Sequence, residues 1–406
     1  MKILYFGTVC DLRTYNEKLN QCRVKPSVAP IVFESALMEG LYRNHAEIEI
    51  HSFPMIPAFP GSKLLYFGGN TERLPCGYEC RWLKTVNLPG LRQLSRRMDA
   101  RRIMKKWMRG HAGEGLVLTY SVPPFLVADV MRYARRYRVK TAAIVPDLLR
   151  DMYMNDKTNP LVARMKQIYL SSALRLQSAY DGYVYLTEEM KNAVAPDRPY
   201  TVMEGIASLS DEPAGQIPKS SPRAVMYAGM LHEKYGIINL VRAFEEADVP
   251  DTELWLFGDG TAAEQIRTYA QKDPRIRYFG TVPRGEILAY ERKATLLVNP
   301  RDPGDEFTKY SFPSKTIEYM LSGTPLLTTK LQGIPTEYLE YLFVSPDNSV
   351  EHLSLAISDA CSRPAEELRR IGENARGFIL REKNAKRQAA RVLDFLREVN
   401  DEPSDQ

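Results

Sequence analysis

No stretch of the 406 residues approaches the ~20 consecutive apolar positions a spanning helix needs, which excludes a chain threaded through a membrane by helices. The opening Met1-Lys-Ile-Leu-Tyr-Phe-Gly7 carries one charge and an apolar run too brief for a signal-peptide core, with no small-residue cleavage site. The expected location is therefore cytoplasmic, at most peripheral at the inner face of the cell membrane. Cysteine is scarce, odd in number and scattered (Cys10, Cys22, Cys76, Cys80, Cys361). Cys76 and Cys80 form a lone C-x3-C where a structural zinc wants four ligands, so ordinary reduced thiols and no metal are expected. Histidine is equally sparse at five residues, and no Ser/His/Asp nucleophile set stands out, which argues against a metal hydrolase or an acyl-enzyme mechanism. A complete G-x-G-x-x-G is absent too. Gly258-Asp259-Gly260 is followed by Ala263, and the Asp259 carboxylate would repel pyrophosphate, which counts against a dehydrogenase-type dinucleotide site. A plain tight turn is the alternative there.

What remains is ordinary for a soluble globular protein, with 44% hydrophobic and 26% charged residues. The length exceeds one ordinary core, so two domains are expected. Charge divides between the halves. Residues 1–205 hold 30 Lys/Arg against 19 Asp/Glu, and the remainder 25 against 31, so the halves should meet different partners.

Apolar runs ending in turn residues alternate with helical spacing along both halves. Ile3–Phe6, 115–120, 140–145 and 182–186 read as strands, with helices over 31–42, 91–109, 124–137 and 159–178 between them; Thr187 is expected to cap a further helix. The Pro-, Gly- and aromatic-rich stretch 53–90 reads as an irregular excursion. Ser208 to Pro222, with three prolines, is the best linker, and beyond it strands at 224–228, 252–257, 276–279, 295–298 and 325–328 alternate with helices. The expected architecture is α/β, two tandem doubly wound Rossmann-like domains facing a cleft. The N-terminal, acceptor-side domain spans 1–207, the linker 208–222 and the donor domain 223–382. A C-terminal helix and tail over 383–406 would pack back on the N-terminal domain. Ligands of such sheets bind beyond the carboxyl ends of the strands, so the loops 229–235, 258–260 and 299–314 are the places for chemistry.

In the last of these, Pro313-Ser314 reads as a helix start with Ser314 as N-cap, and Gly323 as its C-terminal cap. Free amides at that start, with the Lys315 charge beside them, suit a phosphate. Glu318 lies one turn on, on the face of Lys315, where its carboxylate could accept from two ribose hydroxyls; an exposed i,i+3 ion pair is the alternative. Gly229 permits a sharp turn after the strand 224–228, and Lys234 precedes the next helix, a second anion position or else a solvated lysine.

This ordered set resembles the donor domain of the retaining glycosyltransferases of family 4, which share the two-domain GT-B fold. The resemblance covers about Ala224 to Tyr338: the Gly229 loop with Lys234, Gly258-Asp-Gly260, Gly280, Glu318, Gly323-Thr-Pro325 and Gly333-Ile-Pro335. Ser311-Phe-Pro-Ser-Lys-Thr-Ile-Glu318 most resembles a branch that builds bacterial surface and exopolysaccharides. The resemblance implies sugar transfer from a UDP- or GDP-sugar to a saccharide or lipid-linked acceptor, with retention, without metal or other cofactor. Lys234 would contact the pyrophosphate, Glu318 the ribose, and Ser314 and Lys315 the diphosphate, with Gly229 and Gly258 shaping the loops. Two positions depart from the pattern. Tyr310 stands where a carboxylate usually faces the donor sugar, and Met230 where an arginine often follows the first glycine. Glu306 or Asp305 is expected to supply the carboxylate, Lys309 or Lys315 the charge; Glu306, Lys234 and Lys315 are the candidate catalytic residues. Gly7-Thr8 stands where the family has its N-terminal glycine loop, and Asp147, after the strand 140–145, would face the acceptor or cap a helix.

The window 91–109 holds eight Lys/Arg against Asp99 alone, with apolar residues interleaved. It reads as a helix attracted to anionic lipid through Arg96, Arg97, Arg101, Lys105 and Trp107, with a solvated basic face as the alternative. No aromatic platform or known module supports nucleic acid. Competing functions within the same fold are an epimerase or phosphorylase, and a non-catalytic scaffold subunit.

Overall fold

The computed structural model describes residues 1–23, 26–149, 170–208 and 217–402. The chain divides into two compact units, Met1–Ser208 with Ala385–Gln406, and Leu209–Asn384. Most of the expected helix 159–178 and most of the 208–222 segment lie outside the described residues.

The first unit is built on an eight-stranded sheet. Its spatial order is Tyr200–Val202, Gly182–Tyr185, Lys140–Val145, Gly115–Tyr120, Lys2–Gly7, Glu47–Ser52, Glu79–Trp82 and Thr71–Arg73. All neighbours pair in parallel except the last two, which are antiparallel. The central strands are apolar runs buried along their length, as a sheet covered on both faces requires. The stretch 53–90 proves less irregular than its composition suggests. Glu79–Trp82 extends the main sheet, Thr71–Arg73 returns along it, and Tyr66–Phe67 pairs with Thr85–Val86. Strands of two to four residues are too short to show alternation, so the sequence hides them. Thr187 likewise lies ahead of its helix, which starts only at Met190 and takes no side-chain cap.

The second unit carries six parallel strands in the order Ile276–Gly280, Thr252–Phe257, Arg223–Ala228, Leu296–Asn299, Leu326–Thr329, Phe343–Ser345. By chain order this is 3-2-1-4-5-6, the doubly wound arrangement, with its switch point between Arg223–Ala228 and Leu296–Asn299. Its core joins the inner strands to the amphipathic helices Ile237–Glu246 and Val350–Ser362.

The last helix, Ala385–Asp401, belongs to the first unit. It buries Val392, Leu393, Leu396 and Val399 in that unit's core and lies along the helix Ala29–Arg43. Gln388 donates to the Gly205 carbonyl at 2.6 Å. The close approach needs Gly40, where a Cβ would sit 2.0 Å from the Ala385 carbonyl oxygen. Gly40→Leu should therefore overpack this contact and destabilise the first unit by roughly 1–3 kcal/mol. A urea midpoint equal to that of the parent chain would show that the helix does not depend on the contact.

Candidate functional site

At the switch point of the second unit, three loops close on one another through bare backbone. Gly258 has φ 126°, and a Cβ there would lie 1.8 Å from the Gly229 carbonyl oxygen. The Gly229 amide donates to Phe257 O at 3.0 Å, and Leu231 N to Asp259 O at 2.9 Å. The loop after the first strand then turns through Gly236 (φ 77°), whose Cβ would meet the Pro300 carbonyl oxygen at 1.9 Å. No larger residue fits at either point. Gly229 and Gly258 thus hold adjoining loops at the carboxyl edge of the sheet.

Lys234 sits in the short turn Glu233–Tyr235, with its ammonium 5.0 Å from the Tyr235 ring centroid and 5.9 Å from that of Phe307. The Arg301 guanidinium stands 5.2 Å and 6.0 Å from the same two rings, which meet edge to face at 6.2 Å. Two cations from separate loops therefore share one aromatic pair. Asp305 is close enough to feel Lys234, which draws its carboxyl down; burial and Asp302 outweigh that and raise it. Glu306 is exposed, on the turn Glu306–Lys309, and Tyr310 follows it half-buried. Arg301 was not singled out in the sequence. Its only local signal is its position two residues beyond a buried parallel strand.

The helix Lys315–Leu321 begins differently from expectation. Ser314 already has helical dihedrals (φ −53°, ψ −29°) and its side chain makes no capping bond. Thr316 N instead donates to Pro313 O at 2.8 Å, closing the first turn from the proline. At the other end Gly323 adopts φ 74°. The wholly buried Tyr319 fixes the helix, its hydroxyl accepting from Ala228 N at 2.9 Å and donating to Ala228 O at 3.1 Å.

Lys315 and Glu318 form an ion pair, and the pair is no isolated surface contact. Arg284 reaches Glu318 at 3.2 Å, and the fully buried Glu291 lies 3.6 Å from the Lys315 ammonium. Burial, and then the Glu318 charge, push the Glu291 carboxyl well above the usual carboxylate range. For Glu318 burial also raises, but Lys315, the Glu291 carboxyl and Arg284 prevail and hold it below its ordinary value. The outer carboxylate stays ionised while the inner one favours its neutral form. Neither Arg284 nor Glu291 was anticipated, because the helix Arg284–Lys293 reads in sequence as a plain charged surface helix. Among the described residues no hydrogen bond or ion pair joins Lys234 to Lys315 or Glu318.

In the first unit, Gly7 and Thr8 end the strand at the corresponding switch point, between Lys2–Gly7 and Gly115–Tyr120. There the donors turn inward. Wholly buried Glu34 accepts from Thr8 N at 2.9 Å, the Thr8 hydroxyl, Val9 N at 3.2 Å and Tyr5 Oη at 2.5 Å. Burial lifts the Glu34 carboxyl to about 7 against the pull of those bonds. A Cβ at Gly7 would lie 2.0 Å from Glu34 Oε2, so a larger residue there would displace the buried carboxyl. Asp147 is exposed at the carboxyl end of its strand.

The basic helix forms over Leu91–Gly110, but two residues assigned to its outer face are buried. Arg96 is 5% exposed and donates to Thr85 Oγ1 and the Pro54 carbonyl, and Trp107 is 6% exposed and packs on His111 and Gly115. Both are corrected to structural roles. Arg97 and Arg101 are half-exposed and share Asp129, while Lys105 is exposed.

Against known proteins, residues 211–378 match the family described as Glycosyl transferases group 1. No curated protein sequence matches the chain. Among solved structures, sucrose-phosphate synthase from Thermosynechococcus elongatus aligns with TM-score 0.65 at 15% identity, over 98% of this chain and 99% of that one. HepE from Anabaena in complex with UDP aligns at 0.60 and 14%, over 98% and 100%. The UDP-forming α,α-trehalose-phosphate synthase from Burkholderia xenovorans, in complex with glucose-6-phosphate, aligns at 0.61 and 10%, over 98% and 100%. At such identities these likenesses show a shared fold. The fold is GT-B, and the segment 211–378 marks a glycosyltransferase enzyme.

The buried charge makes a testable demand. A carboxyl whose folded pKa lies above its ordinary 4.5 takes up a proton on folding, so its contribution to stability fades as pH rises above that value. Glu291→Gln should match the parent chain in urea unfolding near pH 4.5 and be increasingly the more stable of the two toward pH 8. Parallel stability curves across that range would mean that Glu291 is ionised in the folded chain.

Proposed function

We propose that the chain transfers a sugar, with retention and without a metal or other cofactor, from a UDP- or GDP-sugar to a saccharide or lipid-linked acceptor in the assembly of a surface polysaccharide. The observation that carries the reading is the Glu318 side chain, held between Lys315 and Arg284, with Lys315 packed over buried Glu291, at the carboxyl edge of the sheet. A carboxylate kept charged suits two ribose hydroxyls, and Lys315 beside it suits a phosphate. Lys234 and Arg301 take the other phosphate, and Arg301 supplies the cation that Met230 lacks. Ser314 lies beside the diphosphate at the start of the Lys315 helix. The step needs charge built up on the departing nucleoside diphosphate to be stabilised, which lysine and arginine already in place do without reorganisation. The departing phosphate takes the acceptor proton. Glu306 or Asp305, on the turn next to Lys234, contacts the donor sugar. The HepE complex with UDP favours a uridine carrier among the candidates.

Gly7, Thr8 and Asp147 mark the acceptor side in this reading, although Thr8 spends its amide and hydroxyl on Glu34. The acceptor is carried by a membrane met by the basic helix. That helix exposes Leu91, Leu94 and Met98, at helical spacing, followed by exposed Arg102, Lys105, Lys106 and Arg109. Leu65 and Tyr66 add exposed apolar surface on the short ladder packed against it. Apolar residues entering a headgroup layer, with lysines and arginines on anionic lipid at about 1 kcal/mol each, account for both features. Among the described residues no helix is long and apolar enough to cross a membrane.

Two experiments test these readings. UDP or GDP should raise the melting temperature, and Glu318→Ala and Lys234→Ala should each weaken that nucleotide about tenfold or more, the loss of a charge-assisted contact. Turnover of the matching nucleotide sugar should fall with it. Unchanged affinity in both variants would place the nucleotide elsewhere. In the second test, the chain should float with vesicles containing phosphatidylglycerol and not with pure phosphatidylcholine, and Met98→Glu should abolish flotation. Equal recovery with both vesicle types, or none with either, would remove the membrane from the account.

A further inference from the structure

In the loop that follows Arg223–Ala228, one side chain has its protonation pattern fixed by its neighbours and a donor left over. His232 lies between Gly229 and Lys234 and is half-buried. Its Nδ1 stands 3.2 Å from Thr261 N and 3.0 Å from Thr261 Oγ1. A backbone N–H can only donate, so Nδ1 accepts, and the neutral ring carries its proton on Nε2. A ring turned over about its own axis would present carbon to Thr261 N. The two loops are joined beside it, Leu231 N donating to Asp259 O at 2.9 Å and Ala262 N to Leu231 O at 2.8 Å. Gly260 permits that approach, since a Cβ there would lie 2.4 Å from Leu231 O.

The Nε2–H leaves the ring on the side away from Thr261, and among the described residues none accepts it. The neighbouring ring is Tyr235, at 6.0 Å between centroids and an angle of 51°. Tyr235 is also the ring that Lys234 and Arg301 share, at 5.0 and 5.2 Å. A neutral donor of set direction therefore stands beside two cations delivered by separate segments. The Asp259 carboxylate, which would repel a phosphate, is turned onto its own loop and accepts from Gly260 N at 2.8 Å. A phosphoryl oxygen can accept from ammonium, guanidinium and imidazole together, and the imidazole adds a bond without adding to the repulsion between the cations.

We propose that His232 is a further donor-site contact, its Nε2–H donating to the outer phosphate of the nucleoside diphosphate, the one farther from the ribose; the contact rests on the reading that gives this phosphate to Lys234 and Arg301. The ring then acts on both sides, with Nδ1 fastening the Thr261 loop and Nε2 holding the ligand.

Two variants of the full chain separate these actions. His232→Asn keeps an acceptor oxygen where Nδ1 stands and lacks the Nε2 donor, whereas His232→Gln carries an amide N–H out to the Nε2 position. In calorimetric titration with whichever of UDP and GDP stabilises the parent chain, His232→Asn should bind about tenfold more weakly, and His232→Gln should recover part of that loss. The corresponding monophosphate lacks the outer phosphate and should bind the parent chain and His232→Asn alike. Nitrogen NMR of the histidine-labelled parent chain at pH 8, where imidazoles are ordinarily neutral, gives a readout that needs no variant to fold. His232 should carry its proton on Nε2, and the diphosphate should shift that nitrogen. A proton on Nδ1, an Nε2 signal unmoved by saturating diphosphate, or equal diphosphate affinity in the parent chain and His232→Asn would each overturn the contact and leave the donor site standing. Equal losses for diphosphate and monophosphate would overturn its assignment to the outer phosphate. Diphosphate binding indifferent to both Glu318→Ala and Lys234→Ala would instead remove the donor site, and this contact with it.

Discussion

The proposed donor site depends on one short helix being held at one height above its sheet. Lys315–Leu321 has seven residues, too few to persist alone, and a nucleation cost that only tertiary contacts can offset. Tyr319 provides the tie. Its buried phenol exchanges two hydrogen bonds with the backbone of Ala228, the last residue of the central strand, and so satisfies a strand end that would otherwise lack partners. Lys315 and Glu318 lie on the same helix as this anchor, so their height over the crevice follows from it. Replacing the phenol by a group of equal size without the hydroxyl would leave both Ala228 groups buried and unpaired, a larger loss than the hydrogen bonds themselves.

The second constraint is electrostatic. Placing Glu291 wholly inside the unit, behind Lys315, is expensive if it is charged and cheap if it is neutral. The surroundings favour ionising only one of the two neighbouring carboxyls, raising Glu291 and lowering Glu318. Glu318 faces Lys315 and Arg284 and retains its charge, and that charge helps to keep Glu291 neutral. The result is a carboxylate whose orientation is fixed by two cations, and a lysine whose position is set from two sides. An exposed i,i+3 pair would offer neither, because each partner would be free to turn to water.

Much of this was legible in sequence. Buried runs such as 115–120 and 252–257 fix parallel strands, and the alternation with helices fixes two doubly wound sheets, because both rest on local periodicity. The i,i+3 pairing of Lys315 with Glu318 and the turns at Gly229 and Gly258 were legible for the same reason: each is set within a turn or two of chain. What sequence hid is long-range. Glu291 looks like any exposed glutamate on a charged helix until Lys315, 24 residues on, is packed over it. Glu34 is equally silent, since its partners Tyr5, Thr8 and Val9 lie on another element. The reverse error befell Arg96 and Trp107, where a basic composition suggested an outer face and packing against Thr85, Pro54 and His111 took them inside.

The departures from family pattern illustrate the same distinction between position in sequence and position in space. Met230 is 56% exposed and offers no charge to a phosphate. Arg301, on the loop after a neighbouring strand, stands over Tyr235 beside Lys234, so a second cation reaches the same aromatic pair from another segment. Such an exchange is cheap in a parallel sheet, because every strand delivers its loop to the same edge and neighbouring loops are interchangeable suppliers of a side chain. The aromatic pair Tyr235 and Phe307 is what lets the two cations sit side by side, since attraction to the ring faces offsets part of their mutual repulsion.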